Sequence, residues 1–274
     1  MRDFDIVTSG GQLGQVTPLH KGGQHRERNN YRPISVLPIL SKIIEKHVAH
    51  SLLKYLQENN LLYELKSAFR SGHSTETALI RITDEILFKM DNDEVTGLVF
   101  VDFRKAFDVI NHNLLLKKLS VFGASPDSVA WFRSYLEERR QFVKLGHIKS
   151  EPKPVRQGGP HGSILGPILF LSFVSDMHLH LNNSTIDIYA DDITLSFSAD
   201  WNNITSLTQA LSNDLENIEK WSTENKMCIN TEKTKPLLVT EKRLQHNLGE
   251  EQPPSNYALT PHITTSYRIK SYGV

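Results

Sequence analysis

The chain has 274 residues and a mass of 31.2 kDa, room for one large domain or two small ones, and its 39% hydrophobic and 23% charged composition excludes a wholly disordered protein. Thirty-one Lys and Arg balance thirty-one Asp and Glu, so the bulk basic excess common in nucleic-acid-binding proteins is absent. The single cysteine, Cys228, excludes an intramolecular disulfide framework and a multi-cysteine zinc site, and fits a reducing intracellular compartment, nuclear or cytoplasmic.

In chain order, residues 1–30 are rich in Gly, Gln, Asn and Arg and read as loop, with structure expected from near Tyr31. Leu40, Ile43, Ile44, Val48, Leu52 and Leu53 recur at helical spacing and predict a helix from about Leu40 to Gln57. Thr75 to Met90 predicts a second, with Leu79, Ile82, Ile86 and Leu87 on one side. The continuous apolar run Leu98 to Val101 reads as a short buried strand ending at Asp102. Ser125 and Pro126 supply an N-cap and first-turn pair for a helix through Leu136. Ser163 to His178 reads as another helix, although the most apolar stretch, Ile164 to Val174, is 11 residues long against the roughly 20 that a membrane span needs. No membrane partner is therefore expected, and no apolar h-region follows the charged start of the chain. Ile186 and Ile188 alternate before Tyr189-Ala-Asp-Asp192, and Ile193, Leu195 and Phe197 after it, predicting a β-hairpin with two acids at its tip. Leu207, Leu211, Leu215, Ile218 and Trp221 step by 4, 4, 3 and 3, an amphipathic helix. With no βαβ glycine fingerprint and no internal repeat, the fold class is α+β.

The neutral total divides unevenly. Residues 15–50 carry six basic and two acidic residues (net +4), and 101–157 eleven and six (net +5); 51–100 are net −3 and 158–250 net −6. Such blocks are either solvated faces or a basic groove facing an acidic metal site. Adjacent carboxylates repel, and an isolated Asp-Asp is usually a solvated turn. Here apolar strands flank the pair, and a further acid, Asp102, ends a separate buried strand. Carboxylates converging from separate strands suit two-metal phosphoryl transfer, in which Mg²⁺ ions offset the repulsion among the acids. Cysteine scarcity is no obstacle, because Mg²⁺ prefers oxygen.

Phe100-Val-Asp102-Phe-Arg-Lys-Ala-Phe107-Asp108, then Gly158-Gly-Pro-His-Gly-Ser-Ile-Leu-Gly-Pro167, then Tyr189-Ala-Asp-Asp192 resemble, in order and spacing, the palm motifs of reverse transcriptases. Pro18-Leu-His-Lys21, Tyr31-Arg-Pro-Ile34, Phe69-Arg-Ser-Gly-His-Ser-Thr75 and Asn230-Thr-Glu-Lys-Thr234 extend the likeness over most of the chain. The combination is similar to non-LTR (LINE-type) retrotransposon polymerases. The resemblance implies right-hand polymerase fingers and palm, with an antiparallel split-βαβ palm sheet carrying helices on one face. It divides the chain into an atypical lead-in (1–15), fingers with part of the palm (16–95), palm (96–245), and a linker with the start of a primer grip (246–274), without a thumb.

By the same resemblance, Asp102, Asp191 and Asp192 ligate two Mg²⁺ ions, with Mn²⁺ a possible substitute, and Lys233 protonates the leaving pyrophosphate or is a solvated loop lysine. Lys21, Arg32, Phe103, Phe107 and Gly162 contact the nucleotide. Phe107 is either a steric gate against a ribose 2′-hydroxyl or a core aromatic. Gly158, Pro160, His161, Ser163 and Tyr189 contact template or primer. The implied partners are an RNA template, a DNA primer and dNTPs. Several departures stand out: Gly159 and His161 replace a usual Val and Gln, Gly10 to Gln15 replaces a tryptophan-containing lead-in, and Tyr272 stands where leucine is usual. An RNA-directed DNA polymerase domain is the expected function; a catalytically silent remnant that at most binds nucleic acid, and a metal-dependent nuclease, are the alternatives.

Overall fold

The computed structural model describes residues 13–240 apart from 69–71, 73, 138 and 160–161. Pro160 and His161, most of the lead-in, and the 246–274 segment lie outside the described residues. In chain order the elements are β1 (Leu13–His20), β2 (Tyr31–Val36), α1 (Ile39–Glu58), α2 (Thr75–Asp91), β3 (Glu94–Val101), α3 (His112–Val121), α4 (Pro126–Leu136), β4 (Arg140–Leu145), β5 (Ile148–Lys149), β6 (Lys153–Pro154), α5 (Leu165–Phe173), β7 (Thr185–Tyr189), β8 (Asp192–Asp200), α6 (Ile204–Glu224) and β9 (Lys235–Val239). They form two compact units, one from residues up to 62 with 107–174, the other from 63–106 with the chain after 174. None of the described helices is long and apolar enough to cross a membrane.

The first unit holds a sheet in the order β2-β1-β4-β5, with β6 also paired to β4. β1 pairs antiparallel with β2 and parallel with β4. Among the described residues regular structure is present from Leu13, ahead of the expected start near Tyr31. Gly14 and Pro18 weaken the intrinsic β preference of this strand, and its two neighbours supply the pairing. The inward face of α1 also differs from expectation: Glu45, Ala49, Leu52 and Leu56 are buried, whereas Leu40 and Ile43 are 67% and 61% exposed. The stripe running i, i+4, i+7, i+11 begins on a glutamate, which a search for apolar periodicity passes over. Helix α4 begins as expected, with the Ser125 side chain accepting the Ser128 N–H and Pro126 in the first turn. The helix expected over Ser163 to His178 is shorter. α5 ends at Phe173, and a 3-10 turn, Met177–His180, follows.

The second unit is a four-stranded sheet in the order β7-β8-β3-β9, antiparallel at every pairing. Its two faces are separable along β3, because successive side chains of a strand point to opposite sides. Gly97 lies beneath α6, where a Cβ would come within 2.5 Å of Leu211 and 2.7 Å of Leu207. The next residue, Leu98, packs instead with Met90 and Ile86 of α2 and with Leu237 and Val239 of β9. Helices therefore cover both faces. The expectation of helices on one face fails because α2, whose only fully buried residue is Met90, lies across the other. α6 fits expectation closely: Leu207, Leu211, Leu215, Ile218 and Trp221 are all buried.

Candidate active site

The β7–β8 hairpin closes through a two-residue turn, Ala190-Asp191, between the paired residues Tyr189 and Asp192. Ala190 has φ 55°, and Asp191 is not among the residues of positive φ, the pattern of a turn whose first central position favours glycine. An alanine there costs roughly 1 kcal/mol. Strain of this kind points to function where other observations agree. The base of the hairpin is anchored by Asp214 of α6, fully buried, whose carboxylate accepts the N–H groups of Asn182 and Asn183 at 2.9 Å and of Ser184 at 2.6 Å.

Asp102 follows Val101 at the end of β3, so by alternation its side chain shares the face of Leu98 and Phe100. Asp192 pairs with Tyr189 at the head of β8, and both line a cavity of about 660 Å³ together with Asp102, Phe100, Lys233, and Ala78, Leu79 and Ile82 of α2. Burial, and then the charges of Asp191 and Asp102, push the Asp192 carboxyl above its ordinary value. Asp102 and Asp191 thus lie near enough to Asp192 for their charges to act on its carboxyl.

Asp102 has further partners. Asn230 Nδ2 donates to its Oδ2 at 2.9 Å, Lys233 Nζ lies 4.0 Å from the same oxygen, and the Asp102 N–H donates to Thr234 Oγ1 at 3.3 Å. The segment is tied down by the Asn230 N–H, which donates to the Asp102 carbonyl at 2.7 Å. Asn230 and Thr234 belong to a motif visible in the sequence, where only its lysine carries an expected role. On the same face Arg81 of α2 pairs with the buried Asp187 of β7.

Among the described residues no group of three His, Cys, Asp or Glu side chains is arranged to hold a metal by itself. Mg²⁺ is commonly held by one or two carboxylates plus substrate phosphates and water, not by an all-protein cage. An oxygen-only cluster whose charges repel one another, open to a cavity, fits such an ion.

In the other unit, Lys21 and Arg32 are exposed at the end of the β1–β2 hairpin, where Arg32 pairs with Leu19. Phe107 is half-buried, its ring 4.5 Å from that of Phe170 in α5. Three residues with expected template or nucleotide contacts are buried. Gly158 is buried: a Cβ would meet the Phe107 and Asp108 carbonyl oxygens at 2.7 Å, its N–H donates to Ile110, and its carbonyl bonds His112 Nε2 at 2.8 Å. Its missing side chain allows this internal approach. Ser163 is 6% exposed, and its Oγ accepts the Gly166 N–H at 2.9 Å, capping α5. In the sheet unit, Phe103 is 4% exposed and its ring lies 6.3 Å from that of Trp221, so its side chain belongs to the core. Gly162, with φ 92°, is exposed.

Residues 19–258 match the family described as "Reverse transcriptase (RNA-dependent DNA polymerase)". Among curated proteins, the chain is 32% identical over 231 residues to the probable RNA-directed DNA polymerase from transposon BS of Drosophila melanogaster, covering 81% of this chain and 25% of that protein. It is 33% identical over 227 residues to the RNA-directed DNA polymerase from mobile element jockey of the same species, covering 80% of this chain and 24% of the relative. The chain thus spans about a quarter of the length of these relatives. Among solved structures, apo telomerase from Candida tropicalis superposes with a TM-score of 0.58 at 14% identity, over 84% of this chain and 50% of the other, a likeness of fold. Carboxylates converging on one sheet face, a fold shared with telomerase, and a family match spanning most of the sequence agree: the chain belongs to the reverse transcriptase family.

Proposed function

We propose that this chain is the catalytic part of an RNA-directed DNA polymerase, transferring a nucleotide from a dNTP to a DNA primer 3′-hydroxyl on an RNA template. The observation that carries this reading is the convergence of Asp102 and Asp192 from neighbouring antiparallel strands onto one cavity, with Asp191 in the adjoining turn. Asp102, Asp191 and Asp192 would hold two Mg²⁺ ions, with Mn²⁺ as a substitute. When bound, these ions would acidify the attacking hydroxyl and neutralise charge on the transferred phosphoryl group.

The remaining roles fall to the chain's own groups. Asn230 holds Asp102 Oδ2 and so fixes the rotamer of that carboxylate. Lys233, 70% exposed and at the limit of ion-pair distance, is free to swing and protonate the leaving pyrophosphate. Lys21 and Arg32 clasp the triphosphate as a point charge and a fork. Phe107, braced on Phe170, screens the sugar at its 2′ position. The four-stranded sheet is the palm, and the β1–β2 hairpin belongs to the fingers.

Extension of an oligo(dT) primer on poly(rA) with Mg²⁺ tests the proposal. The unmodified chain is expected to extend the primer and Asp191→Asn is not. Extension that survives the substitution would sink the metal-ligand assignment, and no extension by the unmodified chain would favour a silent remnant.

A further inference from the structure

Glu45 is 1% exposed, yet it carries a carboxylate and comes from a helix 119 positions away from the glycine-rich turn that it touches. One oxygen accepts the Tyr135 hydroxyl at 2.8 Å and the other the Ile164 N–H at 2.8 Å. The Tyr135 hydroxyl also bonds Ser163 Oγ at 3.0 Å, which accepts the Gly166 N–H at 2.9 Å.

A carboxylate accepts only, so it fixes the direction of every bond in this set. Tyr135 donates to Glu45, Ser163 must then donate to Tyr135, and the Ser163 oxygen is left to accept from Gly166. Burial, outweighing the nearby Arg139 charge, raises the Tyr135 pKa and keeps its hydroxyl a donor. Arg139 Nε donates to the Tyr135 carbonyl at 2.7 Å, and its guanidinium lies 4.3 Å from the centre of the ring. Ser163 alone would cap α5, so the cap does not require a carboxylate. Capping therefore does not account for Glu45.

What Glu45 adds is registration. It leads the buried stripe of α1, the helix that directly follows β2. β2 carries Arg32, and its Ser35 carbonyl lies where a Cβ on Gly162 would stand 3.0 Å away. The β2–α1 segment thus meets the glycine turn twice, at Ser35 under Gly162 and at Glu45 on Ile164. We infer that Glu45 is a positioning residue that indexes the exposed Gly162 turn to the strand bearing Arg32, setting the geometry in which the incoming dNTP is held. This inference rests on the polymerase reading above.

The test uses the full chain with Glu45→Gln, Glu45→Met and Tyr135→Phe, measured by thermal melting, amide hydrogen exchange and primer extension at varied dNTP. Gln keeps the shape but not the bonding: with its amide toward Tyr135 the chain of donors reverses and strands the Ser163 proton, and with its amide toward Ile164 two donors face each other. Glu45→Met leaves the Tyr135 hydroxyl and the Ile164 N–H without their acceptor and is expected to melt lower than the unmodified chain while still folding. Both Glu45 variants are expected to raise exchange at the Ile164 amide at least about tenfold and to raise KM for dNTP about tenfold, with kcat changed less. Tyr135→Phe should show a smaller rise in both. If a folded Glu45→Met variant keeps the parent KM, or exchange at Ile164 is unchanged, the inference is overturned while the polymerase reading stands. If the unmodified chain neither extends primer nor gains exchange protection from dNTP with Mg²⁺, the polymerase reading falls and takes the inference with it.

Discussion

The two faces of the four-stranded sheet are built from the same strands and do different work. Under α6, Val95, Val99 and Leu195 are fully buried, and Gly97 leaves room for Leu207 and Leu211. On the opposite face Phe100 is 42% exposed, Leu79 of α2 is 63% exposed, and Asp102 and Asp192 open onto a cavity. A dry, close-packed face tolerates little change in volume, whereas the cavity end of the other face, beyond the Leu98, Met90 and Val239 cluster, tolerates changes of volume better than changes of charge. The period of two along β3 thus places Asp102 on the side of the sheet turned away from α6.

Substitutions can break that separation, beginning where the effect is expected to be largest. Asp102→Asn should lower the single-turnover extension rate by about a thousandfold, comparable to the loss of a key electrostatic group elsewhere, while the melting temperature is unchanged or rises. A large drop in melting temperature would show that the open face carries stability as well. Leu215→Ala on the dry face should cost about 2–5 kcal/mol in denaturant unfolding, with the rate per folded molecule preserved. Gly97→Val should cost roughly 1–3 kcal/mol by overpacking against Leu207 and Leu211, and the second-site change Leu211→Ala should recover part of it. The mildest is Asn230→Ala, expected to slow extension about tenfold through loss of a bond to a charged acceptor. On an Asp102→Asn background it should slow extension no further; an additional tenfold loss would show that Asn230 acts other than through Asp102.

Much of the sheet unit was legible in the sequence because its signals are local. Alternation around Tyr189 to Asp192 marks the hairpin, and the Leu207 to Trp221 stripe marks α6. The missed elements depend on partners distant in sequence. β1 pairs in parallel with β4, whose residues begin 120 positions further on, and its composition alone reads as loop. Helix α3 was also unread, although Asn111 caps it by accepting the Leu114 N–H at 3.1 Å. In the site, the acids were legible from their clustering, but the inward turn of Gly158, Ser163 and Phe103 was not. Motif residues look alike in sequence whether they face a substrate or hold the motif in place. Glu45 and Asp214 were invisible for the complementary reason: buried acids satisfied by backbone amides read as solvated helix positions until the third dimension is known.

The empty place at Gly97 also acts as a ruler. A slip of β3 by one residue would bring Thr96 or Leu98 under Leu207 and Leu211, where no larger side chain fits, and would invert both faces at once. Five residues further along an extended strand, roughly 17 Å away, stands Asp102. A residue without a side chain, five positions from Asp102, thereby serves as the origin from which the position of that acid is measured.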